Sequence, residues 1–218
     1  MTSDKKRKLN EKKDDAAALI HFIDRSMDMK LLKRQGWQRY ANQSESLAEH
    51  SFGSAILALL LVDRESQLDE LAFSRERVVL LTLLHDLPET MFLDIDRSLH
   101  ELLGEERACL IKDEIDTKSI ESLENLLPEG HTYTRSLINQ LVASVSESKE
   151  LKIIRAADLL DLFFRARWLF SRNLFPAGDV LRSFTVDILE ELKEIGLESV
   201  NELVSTLEKE RWLEKMAD

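Results

Sequence analysis

Apolar residues recur at helical spacing along almost the whole chain. From residue 16 to residue 215 they return every three or four positions, and no stretch of useful length alternates between apolar and polar residues as a half-buried strand would. This pattern predicts eight helices, over residues 16–32, 46–62, 74–87, 105–126, 134–147, 151–170, 177–195 and 199–215. Only 6 Gly and 3 Pro occur among 218 residues, so few positions break a helix. We therefore expect an all-α protein, a compact multi-helix bundle in a single domain.

Local signals refine the first three helices and their connections. The tetrapeptide Ser46-Leu47-Ala48-Glu49 has the form of a capping box, which predicts a helix start at Ser46 after a polar loop over residues 34–44. The third helix should end near Leu87, because Pro88 disfavours helical geometry at the residue before it. Apolar residues between positions 78 and 84 cover most of the circumference of this helix, which predicts a central and buried position.

The first fifteen residues differ from the rest in composition. They are almost entirely polar and include a basic run from Lys5 to Lys8. Such a composition is typical of a disordered tail, and we favour a solvated end over an arm that binds nucleic acid. The predicted organisation is therefore a disordered polar tail over residues 1–15 and a folded domain, with additional C-terminal helices, over residues 16–218.

Charge and composition exclude several classes of function. The formal net charge is −11, whereas proteins that bind nucleic-acid polymers usually present basic surfaces. A small anionic substrate is still compatible, since a few local cations or a metal ion can hold it. No apolar run is long enough to span a membrane, and no N-terminal apolar segment resembles a signal peptide, so we expect a cytoplasmic protein. The single Cys109 provides neither an internal disulfide nor a cysteine cluster for zinc.

The adjacent residues His85 and Asp86 are the first candidates for chemistry. They follow the most apolar predicted helix, where a buried carboxylate is costly unless it is paired or binds a metal. Neighbouring helical residues project about 100° apart, so the pair can offer two ligands to one ion. Imidazole nitrogen with carboxylate oxygen suits zinc, manganese, cobalt or iron. An isolated pair of this kind is more often a helix-end histidine with an ion-paired aspartate.

Two further candidates lie on other predicted helices. His50 follows the capping box by one residue, and Asp158 lies in the apolar stretch of the sixth predicted helix. The alternative for Asp158 is an ion pair, because Arg155 lies three residues before it and Arg165 lies four residues after Asp161. Taken alone, the ion pair is the stronger interpretation of Asp158.

Two acids follow the His-Asp pair closely. Glu89 and Asp94 fall in the segment that Pro88 separates from the third helix, where they can face the same cavity as a metal. A carboxyl group in that place can hold or transfer a proton. The alternative is a pair of solvated loop acids.

Together these residues resemble the HD superfamily of metal-dependent phosphohydrolases, and most closely its 5′-deoxynucleotidase branch with the archaeal and eukaryotic relatives of that branch. The H…HD…D order is matched by His50, His85-Asp86 and Asp158, within the stretches 45–51, 83–89 and 156–158. The resemblance covers about residues 16–167, and Asp94 stands at the family's spacing from the His-Asp pair. The combined pattern is specific, whereas each piece alone is not.

The resemblance implies roles for individual residues. The two histidines and two aspartates would bind one divalent metal ion (Mn, Co, Mg, Zn, Ni or Fe), Glu89 would act in catalysis, and Asp94 would place water or substrate. Substrate contacts would come from Arg34 and Trp37, with Arg39 as a competing candidate for the phosphate. Leu93 departs from the family, which often has Gly before the Asp94 position, and this departure bears on the substrate rather than on the metal.

The expected activity is hydrolysis of a phosphomonoester, most specifically phosphate release from (deoxy)nucleoside 5′-monophosphates. The resemblance also implies a homodimer. One alternative is a two-metal phosphohydrolase or oxygenase that uses His100 and His131, although surface positions are favoured for both. A second alternative is a non-catalytic regulatory module stabilised by its metal.

Overall fold

The computed structural model describes residues 3–34, 44–68, 74–92, 102–141, 148–174 and 178–210. Within these ranges every regular element is a helix, which confirms the predicted all-α fold. The only extended pairing among them is an isolated antiparallel bridge between Lys33 and Ser46. The helices are α1 (Ser3–Asp28), α2 (Leu47–Leu68), α3 (Arg75–Leu84), α4 (Glu89–Phe92), α5 (Glu105–Asn125), α6 (Thr132–Gln140), α7 (Lys149–Ser171), α8 (Gly178–Ile195) and α9 (Glu198–Lys209).

Helix α7 is the centre of the bundle. It packs against α2, α3 and α8, and it contributes the fully buried Ile153, Leu160 and Phe163 to the largest apolar cluster. Helix α3 is less central than its apolar composition predicts, because Leu83 is 41% exposed. The correction has a simple cause: α3 is short, and only one of its faces, with Val78 and Leu81, lies in the core.

A second apolar cluster lies where α1 ends and α2 begins. It contains Met29, Leu47 and Leu87 together with residues of α5 and α6. The backbone N–H groups of Leu47 and Ala48 donate to the carbonyls of Leu32 and Met29, at 3.0 Å each. The start of α2 and the turn after α3 therefore pack into the same apolar cluster.

The predicted capping box is present at the start of α2. The Ser46 N–H donates to Glu49 Oε2 at 2.7 Å, and the Glu49 N–H donates to Ser46 Oγ at 3.2 Å. These reciprocal bonds satisfy N–H groups that have no partner within the first turn of a helix. They also place His50 in that first turn, one residue after Glu49.

Two predicted boundaries are corrected by the structure. Residues 3–15 are helical and belong to α1, in place of the predicted disordered tail, and α1 ends at Asp28 rather than at residue 32. This segment contains five Lys and neither Gly nor Pro, so it includes good helix formers and no helix breaker despite its polarity.

The third helix also ends earlier than predicted. Helix α3 ends at Leu84, and a turn over residues 85–88 leads into the short helix α4, where a loop was predicted. The Pro88 ring prevents continuation of α3, and its fixed φ suits a position beside the first turn of a new helix. His85 and Asp86 therefore lie in the turn between two helices and not on α3 itself.

Several predictions fall partly or wholly outside the described residues. These are most of the loop over residues 34–44, the end of the helix predicted over 134–147, and the last residues of the helix predicted over 199–215. Among the described helices, none is both long and apolar enough to cross a membrane.

Candidate metal centre

Three parts of the bundle bring the four predicted ligands together. His50 comes from the first turn of α2, His85 and Asp86 come from the turn after α3, and Asp158 comes from the middle of α7. Because α7 packs against both α2 and α3, residues more than 100 positions apart meet where these helices join.

The ligand atoms lie within a few ångströms of one another. His50 Nε2 lies 2.9 Å from Asp158 Oδ1, and His85 Nε2 lies 3.1 Å from Asp86 Oδ1. The cross distances are 3.8 Å from His85 Nε2 to Asp158 Oδ1 and 3.7 Å from His50 Nε2 to Asp86 Oδ2. One atom each of His50, His85 and Asp158 lies within 4.8 Å of the other two, which forms a group able to hold a metal ion.

Two buried polar atoms at the centre are compatible with a bound cation. His85 Nε2 and Asp86 Oδ2 are both buried and have no hydrogen-bond partner among the described residues. Leaving such atoms unsatisfied costs about 1–3 kcal/mol each, and more for charged groups. A divalent ion with a preference for imidazole nitrogen and carboxylate oxygen would satisfy both atoms at once.

The second nitrogen of each imidazole is held by an acceptor. His85 Nδ1 donates to the Thr82 carbonyl oxygen at 2.6 Å, and His50 Nδ1 donates to Asp161 Oδ2 at 2.7 Å. A proton on Nδ1 leaves Nε2 with a lone pair that can bind a metal. Both imidazoles therefore present Nε2 to the shared carboxylates.

Asp161 is a site residue that the sequence interpretation missed. The sequence pairs it with Arg165, but Arg165 Nε instead lies 4.0 Å from Glu45 Oε1. The available signal was spacing, because Asp161 follows Asp158 by three residues and so lies on the same face of α7.

The predicted helical ion pair of Asp158 does not form. Arg155 Nη2 lies 2.9 Å from Glu191 Oε2 on α8, and Asp158 turns instead to the two imidazoles. The stronger of the two sequence interpretations of Asp158, taken alone, is therefore wrong.

The electrostatics of the cluster couple protons to metal binding. Burial disfavours the charged form of His85, but the carboxylates of Asp86 and Asp158 outweigh it and raise the His85 pKa to about 9. Burial likewise opposes ionisation of Asp158, yet hydrogen bonding with His50 and the nearby His85 hold its pKa well below the ordinary value. Without a metal ion, the raised pKa favours a second proton on His85, at Nε2, and a metal ion that binds Nε2 must displace it.

A cavity of about 510 Å³ opens beside the four ligand candidates. Its wall includes His85, Asp86 and Asp158, and also the predicted catalytic Glu89 in the first turn of α4. Arg34 lines the same cavity, with Nη1 3.7 Å from Asp158 Oδ1 and 4.0 Å from Asp86 Oδ2. The roles of Glu89 and Arg34 stay predictions, and both residues line this cavity.

The other predicted site residues lie outside the described part of the chain, with the exception of His131. Trp37, Arg39, Asp94 and His100 lie outside the described residues. His131 is the N-cap residue of α6 and does not line the cavity.

Cavity residues from α5 and α7 were not predicted. Helix α5 contributes Lys112, Asp113 and Asp116, and α7 contributes Lys152. Lys112 and Asp116 form an i,i+4 ion pair that in sequence resembles any solvated helix face. Lys152 lies six residues before Asp158 on the same helix, which is not a same-face spacing, so no signal in the sequence indicated it.

Comparison with known proteins decides the family. The sequence model of the HD domain family matches residues 27–174, which is more than half of the chain. The chain belongs to the HD domain family. This match ends slightly beyond the stretch over which the sequence resembles that superfamily, and it includes all four ligand candidates of the HD domain.

Solved structures share the HD fold over nearly the whole chain. A protein of Pyrococcus horikoshii has a TM-score of 0.65 at 23% identity and covers 86% of this chain and 97% of its own. An HD-domain phosphohydrolase of Listeria innocua has a TM-score of 0.65 at 16% identity, with 92% and 89% covered. A predicted metal-dependent phosphohydrolase of Magnetospirillum magnetotacticum has a TM-score of 0.60 at 22% identity, with 94% and 95% covered.

The comparisons define the fold rather than a substrate. No curated protein matches this HD-domain chain. At these identities the structural likeness concerns the fold alone, so the 5′-deoxynucleotidase branch stays a prediction.

Proposed function

We propose that this HD-domain protein is a divalent-metal-dependent phosphomonoester hydrolase that releases phosphate from (deoxy)nucleoside 5′-monophosphates. One observation carries the proposal: His50, His85, Asp86 and Asp158 converge beside a cavity that Arg34 and Glu89 also line. Two of the similar structures are named as phosphohydrolases, which agrees with this chemistry.

The four converging side chains would hold the metal ion. A bound divalent ion supplies Lewis-acid polarisation of a phosphate oxygen and a more acidic water molecule near neutral pH. The donor set of two imidazoles and two carboxylates is compatible with Mn, Co, Mg, Zn, Ni or Fe.

Arg34 would bind and orient the phosphate. A phosphate dianion approaching Asp86 and Asp158 meets two negative carboxylates, and the Arg34 guanidinium lies within 4.0 Å of both. A guanidinium can donate two parallel hydrogen bonds to phosphate oxygens while its charge offsets that repulsion. The Arg34 N–H donates to the Glu45 carbonyl at 2.9 Å, so the backbone of this residue is fixed beside the capping box.

Glu89 would hold and transfer the proton. Its backbone N–H donates to the Asp86 carbonyl at 3.1 Å, which fixes Glu89 one turn beyond a metal ligand and on the cavity wall. From there its carboxyl can take a proton from an attacking water or give one to the leaving sugar oxygen.

The volume of the cavity and the net charge of the chain favour a small nucleotide as the substrate. Small-molecule sites usually enclose about 300–1,000 Å³, and the cavity beside the metal centre is about 510 Å³. This volume leaves room for a sugar and a base beyond the phosphate. The net charge of −11 disfavours a nucleic-acid polymer as the substrate.

The proposal is tested with a panel of nucleotides. Purified protein is incubated with ribo- and deoxyribonucleoside 5′-monophosphates, 3′-monophosphates and 5′-triphosphates, with each divalent metal in turn and with a chelator. We expect phosphate release from the 5′-monophosphates that requires metal and stops with chelator. Absence of release with every metal would contradict hydrolysis, and release from the other nucleotides alone would contradict the substrate class.

A Glu89→Gln variant separates an enzyme from a metal-stabilised regulatory module. The change keeps the size of the side chain but removes its proton-transfer capacity, so metal content and thermal unfolding should stay unchanged while turnover falls about 10²–10⁴-fold. The exposed Glu106 on α5 provides a control, and Glu106→Gln should retain turnover. Full turnover in Glu89→Gln would remove this residue from the mechanism.

A further inference from the structure

Both nitrogens of the His50 imidazole have a carboxylate as hydrogen-bond partner. It is completely buried, with Nε2 at 2.9 Å from Asp158 Oδ1 and Nδ1 at 2.7 Å from Asp161 Oδ2. Asp158 belongs to the candidate metal centre, whereas Asp161 lies on the far side of the imidazole. Asp161 therefore contacts the centre only through His50.

Gly53 makes room for this carboxylate. Gly53 lies on α2, three residues after His50, and a Cβ atom at this position would lie 2.0 Å from Asp161 Oδ1 and 2.9 Å from Asp161 Cγ. Contacts that short do not occur, so any larger residue at position 53 must displace the Asp161 side chain. Glycine in a helix interior costs about 1 kcal/mol relative to alanine, and the clearance gives a physical reason for it.

Two acids lie beside His50, and its Nδ1 bonds to one of them. Glu45 has a carboxylate oxygen within 4.8 Å of both His50 and Asp161. The hydrogen bond of His50 Nδ1, however, is made with Asp161 Oδ2 at 2.7 Å. Asp161 is therefore the acid that holds the imidazole.

We propose that Asp161 is a positioning residue for His50, and that glycine at position 53 leaves the space that the Asp161 carboxylate occupies. The carboxylate of Asp161 accepts the Nδ1 proton, fixes the ring plane and leaves Nε2 as the metal-binding nitrogen. This inference rests on the metal centre of the proposed function and adds two residues that contact neither the metal nor the substrate.

The test uses Zn²⁺ alone as the probe. Zn²⁺ affinity of the full chain is measured by competition with a chromogenic chelator for Asp161→Ala, Gly53→Ala, the double variant and the unmodified protein. Loss of a carboxylate that orients a ligating histidine typically lowers metal affinity about 10–100-fold, and we expect a loss in that range for each single variant. Gly130→Ala is the matched control, because a Cβ at Gly130 meets nothing within 4 Å, and it should bind as the unmodified protein does.

Two further readouts separate positioning from a general loss of structure. Long-range ¹⁵N–¹H spectra of the zinc-loaded protein should show a protonated Nδ1 on His50 in the unmodified protein and in Gly130→Ala, with that signal shifted or lost in the two single variants. The double variant should bind Zn²⁺ about as weakly as Asp161→Ala, because Gly53→Ala acts through a carboxylate that is already absent.

Each outcome decides the inference. If Asp161→Ala fails to fold, Gly53→Ala gives the result, because it retains every polar group and adds a better helix former. Affinities within twofold of the unmodified protein, or additive losses in the double variant, overturn the positioning role while leaving the proposed function intact. No Zn²⁺ binding by the unmodified protein overturns the positioning inference, whereas the proposed function is overturned only by the nucleotide panel with every metal.

Discussion

Two buried acids in this bundle have opposite surroundings. Glu65 on α2 is 2% exposed, and its carboxylate accepts from the Ser199 N–H at 2.9 Å and lies 2.9 Å from Lys149 Nζ. Asp86 is also buried, but its Oδ2 has no hydrogen-bond partner within the described part of the chain, and Asp86 lines a cavity. Glu65 supplies the first turn of α9 with an acceptor, since the N-cap residue Leu197 provides no side-chain cap.

The difference shows what distinguishes a site from a structural ion pair. Burial of an acid is common to both regions, so burial alone indicates no function. Each carboxylate oxygen of Glu65 has a donor, the Ser199 N–H or the Lys149 ammonium, and the carboxylate stabilises the contact between α2 and α9. Around Asp86 and His85 two buried polar atoms have no hydrogen-bond partner among the described residues, and a bound metal ion would satisfy both.

The largest expected effect comes from removing a ligand candidate. Asp158→Ala deletes the carboxylate that lies between the two imidazoles, so we expect metal affinity and metal-dependent turnover to fall by about 10³-fold or more. The measurements are metal titration and initial rates at saturating nucleotide. The control is Glu190→Ala, because Glu190 is an exposed acid on α8. Equal losses in both variants would show that the effect of Asp158→Ala is not specific to the metal centre.

Metal affinity should depend strongly on pH. Because the His85 pKa is raised to about 9, metal binding below that pH must displace a proton. Affinity should therefore rise about tenfold per pH unit from pH 7 towards pH 9 and then level off. Titrations at several pH values in one buffer mixture would measure the slope, and a flat profile over this range would contradict the proton displacement.

Glu65→Ala should affect stability and leave the metal centre unchanged. The change leaves the Ser199 N–H and the Lys149 ammonium without their acceptor, and we expect a loss of about 2–3 kcal/mol in the free energy of unfolding, since Lys149 is partly solvated. Urea unfolding measures the loss, and Zn²⁺ affinity should stay within twofold. The exposed ion pair of Glu202 with Arg64 provides the control, because Glu202→Ala should cost less than Glu65→Ala.

The smallest expected effect is the pH dependence of that stabilisation. Burial opposes ionisation of Glu65, but hydrogen bonds from Ser199 and Lys149 prevail and lower its pKa below the ordinary 4.5. A depressed folded-state pKa means that the contribution is present above about pH 4.5 and is lost as the pH falls through the folded-state value. The difference in unfolding free energy between the unmodified protein and Glu65→Gln should therefore shrink below pH 4.5, and a difference that grows there would contradict the assignment.

Local sequence signals predicted the fold because they act over a few residues. The helical spacing, the Ser46–Glu49 capping box and the helix break at Pro88 depend only on neighbours in the chain. The polar segment over residues 3–15 was misjudged, because hydrophobicity was given more weight there than helix propensity.

The candidate site was only partly predictable. The spacing of His50, His85, Asp86 and Asp158 carries a recognisable pattern, and the structure brings these four residues together. Asp161 is indicated only by its three-residue spacing from Asp158, and Gly53 by no signal, because their role depends on how closely α2 and α7 approach. Distances between helices of this kind arise from tertiary packing and are not encoded in any short stretch of sequence.

The isolated bridge between Lys33 and Ser46 has a consequence for evolution. It pairs residues that lie on either side of the segment 35–43. The bridge and the hydrogen bond from the Arg34 N–H to the Glu45 carbonyl therefore hold Arg34 close to the start of α2. Insertions in such a closed segment add little entropic cost, since that cost grows only with the logarithm of length. The length of this segment can therefore change while Arg34 and the start of α2 keep their relative positions.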